Sequence, residues 1–510
     1  MKEKSGATKS IWMKTPAVPR RSALDQDTHA DVCVVGAGIA GLTTAYLLAR
    51  EGQSVAVIDA REIGGGETQR TTAHLVNALD DRYFEIERLH GVRGARLAAE
   101  SHTQAITKIE SIIQEERIAC EFERLDGYLF GAVPEDAGII DRELEAAHRA
   151  GLKGVERIQR APLASFDTGP CLRFPDQGQF HPMKYLSGLA LAIERLGGTI
   201  YTGSHVNEMK GGPQACVKTD KGKTITAGAV VVATNTPVND FVTMHTKQAA
   251  YRTYVIGIRV PRESVNRGLY WDTLDPYHYI RLQSETDSDI LIVGGEDHKT
   301  GQADDTVDRF ARLDAWTRER FSMAQDLEYS WSGQVMEPVD SLAFIGKNPG
   351  DEPNVYIVTG DSGNGMTHGT IAGVLITDLI QGRPNPWASL YEPSRITLRA
   401  AGEFTRENAN VAAQYADLLT GGDIGSVREL LPDTGAIVRK GLSKIAVYRD
   451  KQGDLHKFNA LCPHLGCVID WNPTEKTWDC PCHGSRFAAL GKVINGPALT
   501  GLSPAEKPDS

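Results

Sequence analysis

Two periods of hydrophobic and polar positions organise the chain from Asp31 onward. Val32-Cys33-Val34-Val35 is a continuous apolar run. Glycine-spaced Gly36-Ala37-Gly38-Ile39-Ala40-Gly41 follows, then an apolar-rich helical stretch to Glu51 and a second run, Val55-Ala56-Val57-Ile58. Strand, glycine turn, helix and strand make a βαβ unit opening a larger α/β domain. Helical periodicity returns across 81–118 and 134–151, and strand-like runs fall at 199–201, 229–233, 254–260, 277–282 and 290–293. A buried-strand run at 355–358 leads through glycine-rich 360–369 into an apolar helix ending near Ile380. Pro384, Pro386 and Pro393 break the chain there. Residues 395–420 read as a helix that Gly421-Gly422 stop. Beyond about 424 short strands with tight turns take over: 436–439, 445–449, the turn Asp450-Lys451-Gln452-Gly453, and 455–459. The organisation expected is an N-terminal arm over 1–30, an α/β body over 31–394, a helical linker over 395–423 and a small all-β domain over 424–510.

Composition narrows this picture without redrawing it. The 510 residues, 41% hydrophobic and 24% charged, are ordinary for a folded globular chain and exclude a disordered or collagen-like one. A net charge of −11 argues against a nucleic-acid partner, which would call for a basic surface. No run of about eighteen apolar residues offers a membrane span. The N-terminus carries Lys2, Lys4, Lys9, Lys14, Arg20 and Arg21 but no apolar core of a signal peptide. Asp25, Asp27, His29 and Asp31 spoil a twin-arginine reading of Arg20-Arg21. Cysteine usage is lopsided: Cys33, Cys120, Cys171 and Cys216 are scattered, as free thiols are in a reducing cytosol, whereas Cys462, Cys467, Cys480 and Cys482 cluster. A cytoplasmic protein is the expectation.

The first chemical signal is Gly36-x-Gly38-x-x-Gly41 between a strand and a helix. The first glycine permits the tight turn, the second lets backbone approach a pyrophosphate, and the third lets helix pack on strand. The helix N-terminus then offers its positive dipole end to the phosphates. Asp59, closing the second strand 18 residues after Gly41, suits ribose hydroxyls.

Further segments carry a family resemblance. Gly64-Gly65-Gly66-Glu67-Thr68-Gln69-Arg70-Thr71-Thr72-Ala73-His74, Ala229–Thr234 and Gly360-Asp361-Ser362-Gly363-Asn364-Gly365-Met366-Thr367-His368 are joined by Trp12, an Asp126-Gly127-Tyr128 turn, Trp331-x-Gly333, Asp340 and Ile345-Gly346. Together they resemble the D-amino-acid-oxidase-like superfamily of FAD-dependent amine and amino-acid oxidoreductases over about residues 10–395. The resemblance implies a Rossmann-like FAD-binding domain interleaved with an α+β substrate domain. It implies FAD held non-covalently: pyrophosphate at Gly36, Gly38, Ala40 and Gly41, adenine near Asp59, Ala60 and Arg61 and flanked by Val206. The isoalloxazine would lie near Thr71, Thr72, Ala73 and His74 and near Gly363, Gly365, Met366 and Thr367, with Gly66, Thr68, Ala233, Thr234 and Gly360 as further FAD-binding positions. No second glycine fingerprint follows a strand, so a dedicated nicotinamide-nucleotide domain is not expected and an organic electron donor is.

The second signal is Cys462-x-His464, fifteen residues, then Cys480-x-x-His483, two thiolates and two imidazoles on two loops. Such a set can ligate a [2Fe-2S] cluster, thiolates on one iron and histidines on the other, or a zinc ion. The whole boxes, Cys462-Pro463-His464-Leu465-Gly466-Cys467 and Cys480-Pro481-Cys482-His483-Gly484-Ser485, resemble the Rieske family. That resemblance implies a disulfide between Cys467 and Cys482, resistant to cytosolic reduction if enclosed, and a covering loop at Gly496-Pro497-Ala498. It also places Ser485 to donate to a bridging sulfide. Phe487 stands where high-potential members carry a tyrosine, so the potential should fall below the respiratory type.

Substrate-facing candidates come from Tyr277-His278-Tyr279-Ile280-Arg281, where one strand face would carry Tyr277, Tyr279 and Arg281; an arginine with a tyrosine there could clamp a carboxylate, and a surface or sheet-stabilising cluster is the competing reading. Tyr251-Arg252-Thr253-Tyr254 invites the same reading more weakly. His74 and His368 sit inside the flavin-proximal segments, and a structural role competes with a chemical one for each. The joint expectation is a dehydrogenase oxidising an amine or amino acid, its electrons passing from FAD to the [2Fe-2S] cluster and an external protein acceptor. Reverse flow from a ferredoxin-like donor and a redox sensor without turnover are the alternatives.

Overall fold

The computed structural model describes residues 6–15, 20–132, 136–239 and 243–505. Lys2 and Lys4, the start of the helix expected from 134 and the last five residues of the C-terminal domain lie outside them.

Two sheets build the body. In the first, Val55–Ile58, Thr28–Val35, Thr224–Val232 and Val355–Thr359 run parallel in that spatial order. Thr199–Tyr201 adds a parallel edge at one end and Phe344–Lys347 an antiparallel one at the other. Their sequences are near-continuous apolar runs because both faces are covered, as parallel sheets require. The helices Ile39–Arg50 and Gly365–Ile380 lie side by side on one face, their glycines allowing close approach: a Cβ on Gly373 would sit 2.6 Å from Thr43.

The second sheet has nine strands in a largely antiparallel array centred on Gln248–Val260, Asp289–Lys299, Tyr279–Ser284 and Leu327–Pro338. Asp126-Gly127-Tyr128, expected as a turn, instead lies inside the strand Glu123–Phe130, with a register shift between Leu125 and Gly127. The strand expected from 277 starts at Tyr279, after a cis Asp275-Pro276 bond. The helix expected over 81–118 spans Tyr83–Glu116 with a break in helical geometry at Gly91.

The linker is less regular than one helix: a 3-10 turn Leu398–Ala400, the helix Ala401–Gln414 and a second 3-10 turn Tyr415–Leu419. The C-terminal domain holds a three-stranded sheet and a four-stranded sheet. Its core includes Ile437, Trp478 and Phe487 with all four clustered cysteines.

Candidate functional site

A cavity of about 1500 Å³ runs from the Gly36–Gly38 turn, past the late glycine loop, to the second sheet. Its dinucleotide end is set by backbone chemistry. Gly36 has φ +114°, and a Cβ there would lie 2.2 Å from the Ala233 carbonyl oxygen, so only glycine closes this turn. Asp59 holds the turn from below, accepting the Ala37 N–H at 2.8 Å and the Arg61 N–H at 2.7 Å. A carboxylate offers about four lone-pair positions, so Asp59 keeps capacity for a ribose hydroxyl. Thr68 Oγ1 accepts the Ile39 N–H at 3.2 Å. Ala40, Ala60, Gly66, Thr71, Thr72, Val206, Thr234, Gly360, Gly365 and Met366 line the same wall. Gly41, Ala73 and Thr367 lie behind it. Gly41 packs against the Gly36 carbonyl, Ala73 is fully buried, and Thr367 Oγ1 pairs with His102 Nδ1 at 2.8 Å. An elongated cavity walled by glycine turns at one end and apolar side chains along its length fits a dinucleotide carrying a planar ring system.

Four consecutive carbonyls beside this cavity are held by side chains from remote segments. Trp331 Nε1 donates to the Arg70 carbonyl at 2.8 Å and Trp12 Nε1 to that of Thr71 at 2.6 Å. Arg281 Nη1 donates to those of Thr72 and Ala73, both at 3.0 Å. For Arg281 this is the structural reading and not the carboxylate clamp. Its guanidinium also bonds the Phe180 carbonyl and Gln283 Oε1 and lies 5.3 Å from the Trp12 ring. Arg281 shares the strand face of Tyr279, but Thr72, Ala73 and Trp12 cover that face at the arginine, whereas it opens into the cavity at the tyrosine. Burial pushes the Arg281 pKa down to about 9, still charged at neutral pH.

Both candidate histidines line the cavity with their ring nitrogens engaged. His74 pairs with Thr72 Oγ1 at 3.0 Å and the Ile280 carbonyl at 3.4 Å, and burial beside Arg281 pulls its pKa down to about 3. His368 pairs with the Asp361 carbonyl at 2.8 Å and His102 Nε2 at 3.2 Å, and burial brings it to about 4. Each is neutral and held in place.

Two carboxylates that periodicity did not single out, Asp80 and Asp297, join the tyrosines at the far end. Asp80 accepts the Tyr277 hydroxyl at 2.6 Å, and burial raises its pKa to about 6. Thr253 Oγ1 pairs with Tyr279 Oη at 2.6 Å, and burial lifts nearby Asp297 to about 7. Strand alternation sends Tyr251 and Thr253 into the cavity and turns Arg252 away toward Ser332.

The cysteine cluster lies against the same body. Cys462, Cys480, His464 and His483 are each at most 7% exposed. The two imidazole rings are 5.1 Å apart, and Cys467 Sγ is bonded to Cys482 Sγ. The Cys480 thiol, the N–H groups of His464 and Leu465 and the Ser485 hydroxyl surround the Cys462 sulfur and bring its pKa down to about 7. Paired sulfurs, paired imidazoles and N–H donors aimed at sulfur fit a cluster better than a closed tetrahedral zinc site. The Ala498 N–H donates to Ser485 Oγ at 3.0 Å, tying the covering loop to the second box. His245, from the body, packs its ring 4.9 Å from that of His464.

The C-terminal domain is docked through buried polar contacts that no local sequence pattern pairs. Glu475 inserts its carboxylate into the body, accepting from Arg70 at 3.1 Å, Arg252 at 3.4 Å, and the hydroxyls of Thr8 and Ser332. Arg61 donates to the Ile494 carbonyl at 3.1 Å, and Asn495 to Glu67 at 2.9 Å. Gln334 lines the cavity, and its side-chain amide donates to the Gly484 carbonyl at 3.0 Å, next to His483.

Comparison with known proteins agrees with this two-part construction. Residues 31–379 match the FAD dependent oxidoreductase family and residues 422–505 the Rieske [2Fe-2S] domain. The chain is 32% identical over 499 residues to the putative Rieske 2Fe-2S iron-sulfur protein YhfW of Bacillus subtilis, covering 97% of each chain. It is 28% identical to the gamma-glutamylputrescine oxidoreductase of Escherichia coli, over 70% of this chain and 85% of that one. Glycine oxidase from Geobacillus kaustophilus shares the fold, with TM-score 0.61 and 18% identity over 72% of this chain and 99% of that one.

Proposed function

Because the chain belongs to the FAD dependent oxidoreductase family and ends in a Rieske [2Fe-2S] domain, we propose that it oxidises an amine or amino-acid-like substrate and passes the electrons to an external one-electron acceptor protein. When bound, FAD supplies two-electron chemistry and the [2Fe-2S] cluster one-electron chemistry. In the balanced reaction a substrate C–N single bond becomes C=N. One hydrogen leaves carbon with the electron pair, one proton leaves nitrogen, two acceptor molecules each take one electron, and both hydrogens end as protons in solvent. Water then releases the carbonyl and the amine.

One observation carries this reading: Gln334 joins the cavity wall directly to the Gly484 carbonyl of the second cysteine-histidine box, which supports a short path between the flavin cavity and the cluster ligands. The residues of the second sheet orient substrate. Tyr277, Tyr279 and Thr253 present hydroxyls, and neutral His74 and His368 brace the glycine-rich segments without competing for its proton. No side chain need act as a strong base, because a neutral amine held in line transfers its hydrogen by positioning. The amine class is supported by the relationship to gamma-glutamylputrescine oxidoreductase. Buried free thiols at Cys33, Cys120 and Cys171 support a reducing compartment, the cytoplasm, as its place. Among the described residues no helix is long and apolar enough to cross a membrane.

The test is anaerobic mixing of the holoenzyme with a panel of amines and α-amino acids, followed by flavin absorbance. Bleaching by at least one member is expected. A flavin that dithionite reduces and no member of either class does would remove the proposal.

A further inference from the structure

Among the described residues the lining of the far end holds carboxylates and aromatic rings and no lysine or arginine, and Arg82 and Arg309 act on Asp80 and Asp297 from behind that lining. Asp80, Asp275 and Asp297 line it with Tyr277, Tyr279 and Trp271. The arginines and lysines that line the cavity stand elsewhere: Arg61 at the dinucleotide end, Arg70 locked to Glu475, and Lys451, Lys476 and Lys492 on the C-terminal domain. Arg281, the one arginine that strand periodicity aims here, is spent on backbone carbonyls.

The arrangement is built rather than incidental. Tyr279 and Trp271 are directly paired across adjacent strands, and the Tyr279 ring lies across Gly294, where a Cβ would meet it at 2.2 Å. The Tyr277 and Tyr279 rings are 5.4 Å apart. Asp80 Oδ2 lies 1.9 Å from the position of a Cβ on Gly363, against the late glycine loop, so positive φ at Gly363 (+71°) keeps room for that carboxylate. Asp297 Oδ1 is buried with no hydrogen-bond partner among the described residues. A buried carboxylate oxygen without a donor, facing a cavity walled by electron-rich rings, is the complement of an alkylammonium group. Asp297 on the sheet offers that unpartnered oxygen, and Asp80 beside the glycine loop, which accepts from the Tyr277 hydroxyl, adds a second carboxylate, so that the pair suits two ammonium groups on one chain. A substrate carboxylate would find no cationic partner in this lining.

We propose that this end of the cavity is a cation-selective subsite, in which Asp297, Asp80 and the Tyr277, Tyr279 and Trp271 rings bind an aliphatic diamine in preference to an α-amino acid. The assignment deepens the amine-oxidation reading and rests on it for the fate of the bound molecule, but the binding selectivity stands separately.

The experiment is calorimetric titration of the oxidised holoenzyme, without oxygen, with 1,4-diaminobutane, 4-aminobutanoate and glycine. The diamine is expected to bind most tightly. Asp297→Asn, with full flavin content, is expected to bind it on the order of thirtyfold more weakly, and Asp297→Glu to recover part of the loss. Glycine or 4-aminobutanoate binding as tightly as the diamine in the unaltered protein would overturn the subsite, a result that needs no variant to fold. Undiminished diamine affinity in Asp297→Asn would overturn it equally. Flavin absorbance in the same samples separates the two claims. Selective binding without bleaching keeps the subsite and counts against diamine oxidation. Bleaching by glycine without diamine binding keeps the oxidation and removes the subsite.

Discussion

Arg281 shows how far a single side chain can be read from sequence and where the reading stops. Period-two alternation correctly puts it on the face of Tyr279. It does not say that this face is open at one residue and roofed by Thr72, Ala73 and Trp12 two residues later, because the roof comes from segments more than 200 positions away. Loss of the guanidinium would leave buried carbonyls unpaired beside the flavin-proximal segment. Arg281→Met is therefore expected to lower stability by ~2–4 kcal/mol and to reduce flavin content. KM for an amine substrate should be unchanged in the molecules that keep flavin. Thermal unfolding, flavin absorbance per protein and steady-state kinetics check this. A carboxylate-clamping arginine would give the opposite pattern, normal flavin content with a raised KM for α-amino acids only.

Elements differ in how much local sequence determines them. The Gly36–Gly41 turn and the two cysteine-histidine boxes are legible because their function depends on backbone geometry and ligand spacing within a few residues. The segments that dock the C-terminal domain are not, because Glu475 meets Arg70 and Arg252 only after both folds exist. Burial opposes charge on Glu475, yet Arg70, Arg252 and Arg486 hold its pKa down to about 2. Arg252, by contrast, is pushed down by burial and by Arg486 more than Glu475 lifts it. An arginine remains charged under either influence, so the carboxylate carries the pH dependence. A glutamate whose pKa is depressed in the folded state stabilises it above its ordinary pKa, near 4.5, and loses that contribution as pH falls toward 2. At ~1.4 kcal/mol per pH unit the linkage is worth ~3 kcal/mol, less the cost of burying Arg252. Glu475→Gln is expected to be less stable than the parent at pH 7, with the gap closing between about pH 5 and pH 2. Denaturant midpoints across that range measure it. A gap that stays constant with pH would show that Glu475 contributes shape and not charge.

At the scale of the whole molecule, the large cavity and the cysteine-histidine boxes meet at one wall. Glu475, Arg61 and Asn495 fix the Rieske domain to the flavoprotein body, and Gln334 spans from the cavity to the loop beside His483. A fixed arrangement favours electron transfer inside one chain over a swinging domain that visits a distant partner. The most direct measurement is freeze-quench EPR of the holoenzyme after anaerobic mixing with an amine that bleaches the flavin. The reduced [2Fe-2S] signal should appear after bleaching begins, at a rate independent of protein concentration, and Gln334→Leu should delay that signal without slowing the bleaching. A flavin that bleaches fully while the cluster gives no reduced signal would contradict the relay.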